Sequence, residues 1–581
     1  MQSLPTAGRA RSFAARILCA LALTLPAATA AQQPSPLPLK YVGPPTVSAI
    51  TAGDLMTRLY RYADDSLMGR QVGTEWNDRA TNLIEQEVRR IGLQPAGNNG
   101  FFQDVPVGVR VLDASSVIRV GNRELKPFDD FVAVSGIGGT RTIRSAEVVY
   151  GGMLYDTLNV PTDGRWSGKV VVFSGFVPPA GFNGRAFTRS EGFRRFGAAL
   201  SGALAAPVAV SEIPAQARRA AQEGGNPTLL RNSGDSLIQI NVTTSGAEAL
   251  MGRPLAGLAP GTAGPRASMT IVFQDKLRGG ARNLVAILPG SDPVLKNEFV
   301  AIGAHNDHVG FTRQPVDHDS IYAFNHVVRV QGADSPNRQA TAEEQARIRS
   351  MLDSLRRIHT PRVDSIRNGA DDDGSGSMGL LEIAEAFAAM PVKPRRSILF
   401  VWHTGEEAGL WGADHFTEHP TVPRESIVAQ LNIDMIGRGG PEDITGEAKS
   451  GGLLHGDVRY LQVVGSRRLS TELGDIVDDV NGTRPFSFRL DYAMDANGHP
   501  QNIYCRSDHY MYARYGIPVV FFTTGGHADY HQVTDEPQHI RYEHYAEVTR
   551  FIAEIGLRVA GADARPVVDK PVPDRSAGCR Q

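Results

Sequence analysis

A chain of 581 residues is too long for one ordinary core, so two or three domains are expected. With 41% hydrophobic and 21% charged residues its composition is that of a globular protein, and a formal charge of −2 gives no sign of a nucleic-acid or anionic-membrane partner.

Arg9, Arg11 and Arg16 precede the apolar run Ile17 to Leu25 and the small residues Ala28-Thr29-Ala30. This order is that of a secretory signal peptide over residues 1–30, and the run is too short for a stable membrane anchor. The chain is therefore expected to be exported, to a periplasm or the extracellular space. Its removal leaves Cys505 and Cys579, too few for a Cys-rich zinc site. The polar, Arg-containing surroundings of Cys579 weigh against a disulfide.

A Pro- and Ser-rich linker opens residues 31–105. Two amphipathic helices follow, one marked by Leu55, Leu59 and Tyr62 and one by Ala80, Leu83, Ile84, Val88 and Ile91. Gly92 and Pro95 stop the second. Over 106–275 short β-type runs take over: Ala146–Tyr150, Lys169–Phe173, Pro207–Val210 and Leu237–Val242. The small-residue stretch Gly197–Ala206 is read as one helix. This segment reads as a small β-rich domain inserted into another domain.

A βα rhythm fills 276–560, with strands expected at Asn283–Leu288, Phe299–Ala304, Ile398–Trp402, Ile427–Ile433 and Ile517–Thr523, and a helix at Met378–Met390. Apolar runs of this kind imply an α/β fold, a mostly parallel mixed sheet covered by helices on both faces, with its site beyond the carboxyl ends of the strands. Residues 313–367, with a charged helix at Thr341–Arg357, and 438–500, rich in Gly and Asp, stand outside this rhythm. Both read equally as cleft-shaping insertions or as surface decoration. Residues 561–581 form a polar tail.

Metal-type residues fall at the expected edge: His305 in Gly-Ala-His-Asn-Asp307, Asp372 in Asp371-Asp372-Asp373-Gly-Ser-Gly, Glu407 after Glu406, Asp434 in Asn-Ile-Asp-Met435, and His531 after Tyr530. Each alone has a bland reading. The triple Asp is also a helix cap, Glu406-Glu407 a charged loop, and His527 and His509 compete with His531. Together, two imidazoles and three carboxylates suit two zinc-like ions sharing one carboxylate. Glu406 suits a general base that takes a proton from a water shared by the ions and passes it to a departing amine. Asp307 is placed to orient His305. No Gly-x-Ser-x-Gly elbow, HExxH or P-loop is present.

These blocks, in this order and with Ser507-Asp508-His509 added, resemble the dizinc aminopeptidases of metallopeptidase family twenty-eight. The resemblance covers roughly residues 50–105 and 276–560. Segment 106–275 resembles the protease-associated domain often inserted there, through Trp166-Ser-Gly-Lys-Val-Val-Val-Phe. The resemblance implies a zinc exopeptidase fold and two Zn2+ per chain. Asp372 would bridge them and precede a cis peptide to Asp373; His305 and Asp434 would complete one ion, Glu407 and His531 the other. Glu406 would be the base, with Met435 and Tyr530 bordering the substrate. Peptides with a free N-terminus are the implied substrates. Carboxypeptidase or glutaminyl cyclase chemistry is the alternative, and a non-catalytic binding protein, whose branch lacks the ligands, is further off. The spacer 313–367 and Asn306, where the family often has Tyr, depart from the pattern.

Overall fold

The computed structural model describes residues 37–581 apart from 136, 159, 177, 179–186, 188–189, 232–236, 359 and 576–577. The signal-peptide segment lies outside the described residues. No helix among them is long and apolar enough to cross a membrane.

Two large sheets organise residues 39–581. The first runs Gln94–Pro95, Arg282–Leu288, Ser397–His403, Phe299–His305, Ile427–Ile433, Val519–Thr523, Tyr460–Val464, Arg489–Asp491. Its centre, from Ser397–His403 through Val519–Thr523, is parallel, and the flanking pairings of Arg282–Leu288 and Tyr460–Val464 with it are antiparallel. Successive residues of a strand point to opposite faces, so a strand covered twice is apolar throughout. Val285, Ala301, Leu399 and Val401 pack on one side against Phe416, Tyr512 and Ala513 from the helices Trp411–Glu418 and His509–Ala513. On the other face the helix Gly376–Ala389 touches the central strands and the helices Ala52–Tyr62, Glu75–Ile91 and Tyr542–Gly561. Thr51 caps the first helix by accepting from Asp54 N, and Gly92 ends the second at φ +85°, where a side chain is disfavoured.

Ten strands between Val107 and Leu277 build the second sheet, whose order begins Thr228–Leu229, Val107–Leu112, Ala263–Leu277, Gly139–Met153. Its core gathers Phe131, Val148, Val170, Ile240, Val242, Leu250, Met269 and Ile271.

Three elements differ from the sequence reading. Gly197–Ala206 is not one helix: a helix ends at Ala199, Gly202 turns the chain at φ +76°, and Ala205–Val210 is a strand. Small residues fit both states, and only the turn decides. The stretch 438–500 is not wholly an insertion, because Tyr460–Val464 and Arg489–Asp491 belong to the main sheet. Cys505 and Cys579 form a disulfide, Cα–Cα 5.8 Å. The polar tail doubles back, and Gln581 reaches Tyr504 N through its side-chain oxygen and Gly498 N through its main-chain oxygen.

Candidate metal centre

The site lies at the carboxyl edge of the parallel strands, where main-chain groups lose sheet partners and loops turn inward. His305 ends its strand, Asp434 follows Ile433, and Glu406 and Glu407 follow His403 by three and four residues. The loop with Asp372 precedes the helix Gly376–Ala389, and its Asp372–Asp373 peptide is cis.

His305, Asp372, Glu407, Asp434 and His531 converge. His305 Nε2 stands 3.2 Å from Asp372 Oδ1 and 3.7 Å from Asp434 Oδ1. His531 Nε2 is 2.9 Å from both Asp372 Oδ2 and Glu407 Oε2. Asp372 therefore turns one oxygen to each imidazole. Asp373, which also lies within reach of His305 and Asp434, is occupied otherwise. It accepts from the main-chain N–H groups of His305 (3.0 Å), Gly376 (2.8 Å) and Met435 (3.2 Å). Its role in the geometry is to tie three loops together. Asp371 does the same behind it, accepting from Gly437 N at 2.6 Å and facing His527 at 3.3 Å. His527 is thereby engaged by Asp371 and, through Nδ1, by Asp529 N. His509 is stacked on Phe521 at 4.9 Å, and burial pushes its imidazole down to about 3.

Glu406 Oε2 is 3.9 Å from His305 Nε2. Asp307 relates to its neighbours in a way the sequence does not reveal. His305 Nδ1 meets the main-chain oxygen of Asp307 at 3.1 Å, with the carboxylate at 3.7 Å, while that carboxylate accepts from Glu406 N at 3.1 Å. Asp307 thus holds both His305 and the Glu406 loop. Asn306 is buried, donating to Trp402 O at 3.0 Å, and its carbonyl accepts from the Tyr62 hydroxyl at 2.9 Å.

The electrostatics are unbalanced without a cation. Burial raises the Asp373, Glu406 and Asp434 carboxyls. Burial opposes charge on the His305 imidazole too, yet Asp307, Asp372 and Asp434 hold it well above its ordinary value. His305 Nε2, Asp372 Oδ2, Glu407 Oε1 and His531 Nε2 are buried without a hydrogen-bond partner. Buried polar atoms are seldom left so. Orphaned nitrogen and oxygen donors aimed at common points, amid excess negative charge, are what a divalent ion satisfies. The residues fit zinc.

A cleft opens from Asp372, Glu406 and Asp434. Met435 (φ +60°) and Tyr530 line it, with Gln462, Met494 and Phe521. Gln331 and Asp334, from the 313–367 segment, line it as well. That segment is a cleft wall at these residues, and its helix Ala342–Ile358, which buries no residue, is surface. Ala333 N donates to Tyr530 O at 3.0 Å, and Arg506 pairs with Asp334 at 2.8 Å. Ser507 donates to Asp434 Oδ2 at 2.7 Å. Three neighbours escaped the sequence reading: His308, Arg506 and Asp535, whose carboxylate accepts from Asp371 N and Asp372 N. His308 sits beside a motif residue and was detectable. Arg506 likewise precedes the Ser507-Asp508-His509 block, whereas Asp535 lies in a loop with no local signature.

Residues 283–556 match the model of Peptidase family M28. A stretch of 82 residues is 37% identical to leupeptin-inactivating enzyme 1 of Streptomyces exfoliatus, covering 14% of this chain and 19% of that protein. A stretch of 202 residues is 24% identical to leucine aminopeptidase 1 of Aspergillus niger, covering 33% of this chain and 47% of that one. The chain thus spans less than half the length of these curated relatives. A zinc aminopeptidase from Bacillus subtilis is similar at a TM-score of 0.40 and 17% identity, over 88% of this chain and 95% of that one. The motifs of the site thus all lie within the segment 283–556 that matches Peptidase family M28.

Proposed function

We propose that this chain is an exported dizinc aminopeptidase that removes N-terminal residues from peptides. One observation carries the reading: the unpartnered donor atoms of His305, Asp372, Glu407 and His531 face one another beside Asp434 and Glu406. In this reading His305, Asp372 and Asp434 would hold one zinc ion, and Asp372, Glu407 and His531 the other. The ions, when bound, supply Lewis acidity toward the scissile carbonyl and the attacking water.

The chain's own residues do the rest. Glu406, buried next to His305, accepts the proton of the attacking water and returns it to the departing amine. Burial raises its carboxyl, and cations held by the neighbouring ligands would lower it again. Asp307 fixes His305 and the Glu406 loop together, which keeps base and centre in register. Met435 and Tyr530 border the first side chain of the substrate, and the acidic end of the cleft attracts its α-ammonium. The β-rich segment 106–275 is taken as a protease-associated-like insert.

The test is metal content together with hydrolysis of aminoacyl chromogenic substrates, with and without a chelator. About two zinc ions per chain and chelator-sensitive release from free-N-terminus substrates alone are expected. Two ions without that activity would move the reading to carboxypeptidase or glutaminyl cyclase substrates. A folded chain with no metal would overturn it.

A further inference from the structure

His308 has no part in the set described so far, yet it is completely buried and neither ring nitrogen has a hydrogen-bond partner. Each buried, unmatched polar atom costs roughly 1–3 kcal/mol. Two on one ring call for an explanation.

The ring is aimed. Its Nδ1 stands 2.8 Å from Glu407 Oε1 and 3.6 Å from Asp372 Oδ2. The shorter contact is misaligned for a hydrogen bond. His531 Nε2 behaves alike, 2.9 Å from the same two carboxylates without a bond to either. Both imidazoles thus point into the space between Asp372 and Glu407 rather than along their lone pairs. Donor atoms from His308, Asp372, Glu407 and His531 all lie within 4.8 Å of one another. Ligands of a tetrahedral zinc at about 2.0–2.1 Å are spaced by roughly 3.3 Å. The spacings of 2.8, 2.9, 2.9 and 3.6 Å straddle that value.

Nor is the ring free to turn elsewhere. Gly369 stands against it at φ +55°, where a Cβ would come within 2.5 Å of His308 Cγ. Arg70 pins both ends of this contact: its guanidinium donates to Asn368 O and Gly369 O at 2.5 and 2.9 Å, and its carbonyl accepts from His308 N at 3.3 Å.

We propose that His308 Nδ1 is a direct ligand of the ion assigned to Glu407 and His531, completing a four-donor set with Asp372. The assignment rests on the dizinc reading above and makes the two ions unequal. One has two imidazoles; the other has His305 alone, with Asp372 and Asp434. Imidazole suits zinc, copper, iron and nickel, whereas carboxylate ligands suit manganese. The His308 position therefore keeps zinc when the other exchanges.

Zinc-edge X-ray absorption on the full chain loaded with zinc alone tests this, with zinc dissociation constants measured beside it. Wild type should show scattering from three imidazoles shared by two ions. His308→Ser should show two, and one dissociation constant should rise by more than about 100-fold, beyond the 10–100-fold that an orienting partner commands. The other should stay put. Two imidazoles in a wild type holding two ions would overturn the assignment and leave the dizinc reading standing; this count does not depend on whether the variant folds. A rise within the smaller range at an unchanged imidazole count would also overturn it, making His308 a positioning residue. A folded wild type without zinc would overturn both readings.

Discussion

The two sheets of this chain are built of similar apolar strands but bury opposite kinds of side chain. Between residues 106 and 281, Ser116 is the one polar residue buried among the described ones, and the core is a continuous set of aliphatic and aromatic groups. At the edge of the other sheet, His305, Asn306, Asp307 and His308 are all buried in a row, as are Asp371, Asp372 and Asp373. Burying such groups costs free energy unless each is paired, and several are not. The sheet of residues 107–277 is explained by stability alone. The sheet that carries the site is not, and the excess of unpaired buried donors marks where stability is given up for chemistry.

The largest effect that would sharpen this contrast is on rate. Glu406→Gln should leave two ions bound and the thermal midpoint unchanged or raised, because a buried carboxyl is replaced by a neutral group. Turnover should fall by about 10²–10⁴-fold or more. Full activity in that variant would end the assignment of the base. The converse substitution lies in the other sheet. Phe131 is fully buried in its core, so Phe131→Ala should cost about 3–5 kcal/mol in denaturant unfolding. Metal content and turnover per folded molecule should not move. A change in turnover would show that the two sheets are coupled.

How far the sequence reveals all this follows the same divide. The central strands were legible within one or two residues, because a strand covered on both faces is apolar over most of its length, as Ser397–His403 is from 398 to 402. Tyr460–Val464 was not, since it is only five residues long, has Gln462 at its centre and lies in a Gly- and Asp-rich stretch. That glutamine is buried and donates to Tyr460 Oη and Thr445 O, a pairing made only in the folded chain. At the site, residues at strand ends announced themselves, whereas Asp535 and Arg506 come from loops whose direction depends on tertiary contacts. Asp307 was picked out as the partner of His305, but its main-chain oxygen, not its carboxylate, makes the closer approach.

The cleft walls also draw on cross-links from outside the sheet. Replacing Cys505 and Cys579 together by Ser should cost about 2–4 kcal/mol. Ile503, Arg506 and Ser507 beside Cys505 line the cleft, so KM should rise more than kcat falls. An unchanged KM would show that the tail does not hold this wall.

The smallest expected effect concerns the 313–367 wall, one of whose fastenings is the Glu536 carboxylate. Glu536 lies 2.8 Å from His318 Nε2 and 2.5 Å from Arg362. Burial opposes its charge, but these two partners hold it down to about 2 from an ordinary 4.5. A depressed carboxylate contributes stability that is complete above its unfolded value and is lost as pH falls through the folded one. The window is therefore pH 4.5 down to 2, and the linked contribution is on the order of 3 kcal/mol. Glu536→Gln should flatten unfolding free energy against pH across that window and lower stability at pH 6 by less than this amount, since the amide keeps part of the bonding. An unaltered slope would place the acid sensitivity at another carboxylate held below its ordinary value, such as Asp372, and with it return the contrast between the two sheets to the metal centre alone.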